Sequence, residues 1–363
     1  MPANPPPLRD RLSGAVVRTV MALPAGVIRR LGGRTVVDGQ HLHPEVGLAL
    51  RLLALSPDSS FETLPLDQAR AQVTGEAAVF GGPPIPLPEV TDLTLPGDAG
   101  PIPARFYRPE ATGAARPALL VYFHGGGWVV GSPDTSDSVC RFLAAHAQVA
   151  VLSVDYRLAP ENPFPAAVHD ATAAMRYANS HADELGIDGR AIAVGGDSAG
   201  GNLAAVVCQQ AAAGHCPMPV FQLLFFPVTD TSAKTRSYEL FSDGYFLTEA
   251  QMDWYINHYL PDPADRLDPR ASPLLAPDLT GLPPSYVAVA GFDPLRDEGE
   301  AYAQRLRDAH VPVALHRHSG LVHAFVNTTG VGTTGREAML HAAGALRMGT
   351  AFTTPDPDPS PQT

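Results

Sequence analysis

The chain has 363 residues, of which 45% are hydrophobic and 17% charged, a composition that supports a buried core and excludes a largely disordered chain. Its formal charge of −12, with no basic stripe interleaved with aromatics, excludes a nucleic-acid partner. Length allows one large α/β domain with an accessory region, or two ordinary domains.

The first 34 residues carry Arg9, Arg11, Arg18, Arg29, Arg30 and Arg34 against Asp10, a net of +5 that leaves −17 for the rest. This segment reads first as a solvated amphipathic helix of an N-terminal cap, and second as a candidate for weak contact with a membrane surface. The stretch Val16 to Leu31 is broken by Arg18 and Pro24 and has no clear small-residue cleavage site, so it does not read as a secretory signal. No run reaches the ~18 apolar residues of a transmembrane helix, and a cytoplasmic location is the default expectation. From Pro44 to Phe80 the pattern is helical, with Leu48, Leu52 and Leu55 on one face and Asp67 opening a second segment. Gly81 to Pro86 ends this pattern, and residues 1–89 are assigned to an N-terminal extension and helical cap.

Strand-like runs follow: Val90–Leu95, Ala104–Tyr107, Ala118–Phe123, Val149–Val154, Ala191–Val194, Phe221–Phe226, Tyr286–Ala290 and Val313–His316. Several are continuously apolar, as strands buried on both faces are, and helical stretches alternate with them. That alternation predicts a parallel-rich sheet wrapped by helices, with residues 90–352 as the catalytic domain. About 58 residues separate Pro227 from Tyr286, more than one crossover helix needs. Within them Ser237 to Leu260 is polar and rich in aromatics, which suggests a cap insertion at about 231–265. Residues 353–363 contain four prolines and no periodicity, and are expected to be a disordered tail. Cys140, Cys208 and Cys216 are odd in number and lack metal-ligand spacing, so they read as buried small hydrophobes, with no disulfide framework and no metal site.

Chemistry concentrates in three places. Gly196-Asp197-Ser198-Ala199-Gly200 lies between the strand Ala191–Val194 and a helix predicted over Ala199–Ala213. A strand-to-helix turn this tight needs small flanking residues, and it lifts Ser198 above the sheet at a helix N-terminus. His124-Gly125-Gly126-Gly127-Trp128 directly follows another apolar strand. Its glycines allow backbone N–H groups to turn toward a bound oxygen, so Gly125, Gly126 and Gly127, with the N–H of Ala199, are the candidate oxyanion hole. His124 reads as a residue that fixes the loop. A serine hydroxyl needs a base, and the base needs a carboxylate to orient it. Asp293, just past the strand Tyr286–Ala290, is the candidate carboxylate with Asp297 as its rival, and His323 is the candidate base with His316 and His318 as competitors.

The motifs His124 to Trp128, Asp155-Tyr-Arg-Leu-Ala-Pro-Glu161, Gly196 to Asn202, Asp293-Pro-Leu-Arg-Asp-Glu298 and His323-Ala-Phe325 resemble those of the hormone-sensitive-lipase family of bacterial esterases, in the family's order and over about residues 40–350. The resemblance implies an α/β-hydrolase fold with a mostly parallel eight-stranded sheet, capped by the N-terminal helices and the insertion. It implies a carboxylesterase acting on short- to medium-chain acyl esters without a cofactor, with Ser198, Asp293 and His323 as the triad. Asp155 and Arg157 are expected to tie the loop after their strand to the oxyanion region. The family usually has Gly after the catalytic His, where this chain has Ala324. Arylacetamide-type deacetylation, lactone hydrolysis and lipase action would use the same residues. Plant receptors related to the family bind a hormone without turnover, but are expected to lack the triad histidine. A homodimer is the default for such folds.

Overall fold

The structure, a computed structural model, describes residues 8–54, 60–111 and 115–351; Leu55 and the predicted tail 353–363 lie outside the described residues. The chain opens with α1 (Leu8–Met21) and α2 (Ala25–Gly32), a short hairpin of β1 (Val36–Val37) and β2 (Gln40–His41), and then α3 (Pro44–Leu53) and α4 (Leu66–Gly81). Pro44 stands in the first turn of α3, where a missing N–H costs nothing, and the His43 ring accepts the N–H of Glu45 at 3.3 Å. α2 lies so close on α3 that a Cβ on Gly32 would stand 2.0 Å from the Pro44 carbonyl oxygen. The inward-facing Met21, Ile28 and Leu48 form a small core of their own there.

The main sheet contains β3 (Glu89–Gly97), β4 (Gly100–Arg108), β5 (Leu119–Phe123), β6 (Ala150–Val154), β7 (Ile192–Asp197), β8 (Gln222–Phe225), β9 (Ser285–Phe292) and β10 (Val313–Val322). Their order is β10-β9-β8-β7-β5-β6-β4-β3. The strands from β5 to β10 run parallel, and β3 and β4 join antiparallel at one edge. Every residue of β5 to β9 is buried, as continuous apolar runs demand of strands covered on both faces.

The covering helices are α5 (Asp137–Ala147), α6 (Ala166–Ser180), α7 (Ala199–Ala212), α8 (Arg236–Phe241), α9 (Glu249–Tyr259), α10 (Arg296–Asp308) and α11 (Thr334–Ala351). α5 and α11 bury Phe142 and Met339 against Tyr122 and Phe225 on one face. On the other, α6, α7 and α10 bury Ala174, Leu203 and Tyr302 against Val121, Leu152 and Val287. This is the expected eight-stranded α/β-hydrolase sheet. α8 and α9 occupy the stretch predicted as an insertion. Two strands run well past their predicted bounds: β4 begins at Gly100, where its pairing with β3 starts, and β10 runs to Val322, past a register shift, because its pairing with β9 continues to Phe292. His318 is therefore a strand residue, not the first residue of a loop. All three cysteines are free and buried.

Candidate active site

β7 ends at Asp197 and α7 begins at Ala199, so Ser198 alone makes the turn, with φ +55° and ψ −117°. An L-residue rarely holds such a backbone, and it persists because its neighbours enforce it. The Ser198 N–H donates to the Phe225 carbonyl at 3.0 Å and its own carbonyl accepts from Val228 and Asn202 at 3.2 and 3.0 Å. A Cβ on Gly200 would lie 1.9 Å from the Phe123 oxygen, and one on Gly196 2.4 Å from the same atom. Both glycines are needed for close approach of backbones. The Ser198 hydroxyl caps no helix N–H, which leaves it unspent at the end of the sheet.

The Nδ1–H of His323 donates to Asp293 Oδ2 at 2.8 Å, and the other carboxylate oxygen accepts the N–H of Leu295 at 2.9 Å. Asp293 is fully buried. The His323 ring packs against Phe226 at 4.4 Å, and Phe325 meets Phe226 edge-on at 5.0 Å, which fixes the plane of the imidazole. The rival Asp297 is engaged elsewhere, accepting from the Ser237 N–H and from Arg296. His316 and His318 stack on each other 4.2 Å apart, beside His341 of α11, and neither makes the Asp293 bond. Burial and the neighbouring imidazoles push His318 down to about 3. Ala324 adopts φ +63°, the left-handed backbone for which glycine is usual after the histidine.

The candidate oxyanion loop needs one correction. The N–H of Gly125 donates to Asp197 Oδ1 at 3.0 Å, so its proton is committed to the protein and cannot serve a bound oxygen. The same Oδ1 accepts the Tyr122 hydroxyl at 2.6 Å. Burial raises the Asp197 carboxyl while these donors pull it back. Gly125 and Asp197 thus lock the glycine loop to the serine turn. Among the described residues the N–H groups of Gly126 and Gly127 meet no acceptor, and that of Ala199 is the first of α7, where no intrahelical acceptor exists. Gly126 and Gly127 have φ +115° and +57°, and a Cβ on Gly127 would stand 2.1 Å from the Tyr255 ring. Trp128 stacks on Tyr259 at 4.3 Å, so α9 clasps this loop from above. His124 fixes the loop as expected: it stacks on Tyr156 at 4.3 Å, burial pushes it down to about 4, and as a neutral ring its Nδ1–H donates to the Gly125 carbonyl at 2.8 Å.

The ties expected of Asp155 and Arg157 are made by other residues. Arg157 forks onto Asp170 of α6 with bonds of 2.7 to 3.1 Å. The Asp155 carboxylate makes no hydrogen bond among the described residues, and burial pushes it up to about 6. Instead the Tyr156 hydroxyl donates to the His124 carbonyl at 2.8 Å. Arg70 of α4 donates to the carbonyls of Val129 and Ala159, at 2.9 and 3.0 Å, and forks onto Glu161 at 2.8 Å. Sequence reading missed Arg70 and Tyr122. Each carried a signal: Arg70 is a charge beside the inward Ala69 of a helix, and Tyr122 a hydroxyl in an otherwise apolar buried strand.

Ser198, His323 and the glycine loop open on a cavity of about 190 Å³. α3 lines it with Leu50 and Leu53, α4 with Val73 and Phe80, and the insertion with Leu247 and Tyr255. Glu76 is a charge in this apolar wall; Gln72 donates to it at 2.9 Å, and burial raises its carboxyl. Among the described residues no group of three or more His, Cys, Asp or Glu is placed to hold a metal ion, and no helix is long and apolar enough to cross a membrane.

Residues 120–327 match the α/β-hydrolase-fold family. The carboxylic ester hydrolase LipN of Mycobacterium tuberculosis is 46% identical over 333 residues, covering 87% of each chain. The ethyl acetate hydrolase of Pseudomonas putida is 38% identical over 85% of this chain and 99% of its own. Among solved structures, an ester hydrolase from the metagenome of Lake Arreo, complexed with a derivative of bipyridine phosphonate, superposes with a TM-score of 0.81 at 42% identity, covering 85% of this chain and 98% of its own.

Proposed function

The chain belongs to the hormone-sensitive-lipase family of α/β-hydrolase-fold carboxylic ester hydrolases, and on that premise we propose that Ser198, His323 and Asp293 hydrolyse short- to medium-chain acyl esters through an acyl-enzyme. Ser198 Oγ attacks the acyl carbon while His323 Nε2 takes its proton, and Asp293 holds the imidazole in the tautomer that leaves Nε2 free. The negative charge on the former carbonyl oxygen rests on the N–H groups of Gly126, Gly127 and Ala199, each worth about 3 kcal/mol of barrier. His323 then gives its proton to the leaving alkoxide as the ester C–O bond breaks. A water deprotonated by the same ring attacks the acyl-enzyme, and the carboxylic acid leaves as Ser198 regains its proton.

The observation that carries this reading is the 2.8 Å bond from His323 to a buried Asp293, with Ser198 and His323 lining the same cavity. The chain-length preference is supported by the cavity, whose volume of about 190 Å³ falls below the roughly 300–1,000 Å³ of sites for drug-sized ligands. A p-nitrophenyl ester series of increasing acyl length, run with wild type and Ser198→Ala, tests both parts. Rates should peak at short chains and fall by about a millionfold in the variant. A variant that keeps more than about a thousandth of the activity would remove Ser198 from the mechanism, and a peak at long chains would remove the substrate assignment.

A further inference from the structure

Ten large hydrophobic side chains stand exposed among the described residues, and five of them, Val16, Leu23, Val27, Leu31 and Val36, fall in one short stretch spanning α1, α2 and β1. Their partners on the inner side are accounted for: Met21 and Ile28 are buried against Leu48 and Val331, with Val17 and Val20 packed around them. The α1–α2 segment thus carries apolar side chains both buried against α3 and α4 and exposed. Interleaved with the uncovered residues are the exposed Arg29, Arg30 and Arg34, and none of these meets a carboxylate among the described residues, whereas Arg18 is half-buried beside Gly14. Fixed positive charges beside exposed aliphatic side chains are the chemistry of a helix that lies in the plane of a negatively charged interface.

We propose that the exposed side of the α1–α2 segment docks on an anionic lipid surface. Charge selects this occupant over a second copy of the chain. A two-fold interface would set the same basic patch against itself, so like charges would oppose the pairing. The aliphatic residues select it over a soluble polyanion, which has nothing to gain from Leu23, Val27 and Leu31. Charge also favours this orientation: the first 34 residues carry +5 and the remainder −17, so a negative surface attracts this end and repels the net charge of the rest. The position bears on function, because α2 packs on α3 and α1 on α4, and the far sides of α3 and α4 line the cavity. Docking would place the cavity two helix layers, about 20 Å, from the lipid. The inference does not depend on which group attacks the ester.

The test is cosedimentation with vesicles of phosphatidylcholine alone and of phosphatidylcholine with about one third phosphatidylglycerol. Wild type is compared with Arg29→Gln/Arg30→Gln and with Val27→Ser/Leu31→Ser. None of these residues lines the cavity, so unchanged hydrolysis of soluble p-nitrophenyl acetate certifies the fold of each variant. Wild type should bind the anionic vesicles at least tenfold better, and lose binding as salt rises from about 50 to 300 mM. The arginine variant should partition about thirtyfold more weakly, and the aliphatic variant about tenfold or more. Equal binding to both vesicle types, or binding untouched by either variant, would overturn the proposal. So would binding that needs the arginines alone, the mark of a polyanion site. A concentration-dependent dimer abolished by Val27→Ser/Leu31→Ser would give the face to a second copy instead.

Discussion

Arg70 makes two kinds of contact, and replacing it with Met separates their worth. Its Nε and Nη2 groups donate to the partly buried carbonyls of Val129 and Ala159 at 2.9 and 3.0 Å. A hydrogen bond from a charged donor contributes about 1.5–3 kcal/mol, and the low end for two of them gives roughly 3 kcal/mol. The fork onto Glu161 is shorter, yet the Glu161 side chain is 52% exposed, and solvent-screened pairs contribute only about 0–1 kcal/mol. Arg70→Met should therefore lower stability in urea by about 3 kcal/mol, Glu161→Gln by less than about 1, and the double variant by little more than Arg70→Met alone. Because Val129 continues the glycine loop, kcat on p-nitrophenyl butyrate should fall further than KM rises. If Glu161→Gln costs as much as Arg70→Met, the short surface pair is the true tie and the argument from buried carbonyls fails.

Ala324→Gly should stabilise the protein by about 0.5–1 kcal/mol, since relief of the left-handed backbone, about 1–2 kcal/mol, exceeds the added freedom of glycine in the unfolded chain; a lower urea midpoint would contradict this. Asp155, with a folded pKa of about 6, binds a proton more readily folded than unfolded, so it costs stability increasingly as pH rises from about 4 to 6 and fully above that. Asp155→Asn should accordingly raise stability by about 1–2 kcal/mol at pH 8 and by nothing near pH 3.5, and an equal gain at both values would show that charge is not the cause. Asp293→Asn should cost about ten-thousandfold in kcat, whereas Asp297→Asn should act on stability through its bond to Ser237; the reverse pattern would exchange the two carboxylates.

The parts of the fold that sequence made legible are those where burial leaves a mark on every residue. The apolar runs of β5 to β9 and the helix after Ser198 fall within one to three residues of their predicted bounds at most ends. The serine turn was legible because steric limits allow few residue types at Gly196 and Gly200. Hydrogen-bond partners were harder, since a motif shows which residues recur but not what each one touches. Gly125 stands in line with Gly126 and Gly127 in sequence, yet its proton turns inward to Asp197. Asp155 and Arg157 sit in one motif, but the second bonds to Asp170 in the next helix, a partner with no signature of its own. His318 was misplaced because polar residues do not mark a strand at the edge of a sheet, where one side faces solvent.

The clasp of α9 on the glycine loop couples the substrate chamber of this chain to the loop beneath it. Trp128 lies flat on Tyr259, and Gly127 has no room for a Cβ beneath Tyr255. The same helix therefore shapes the chamber and braces the loop that carries the proposed oxyanion donors. A grafted insertion from a relative would bring its own selectivity only if its aromatic pair arrived in register with this tryptophan and glycine. Insertion and loop behave as one packed unit, and a change in either is felt by the other.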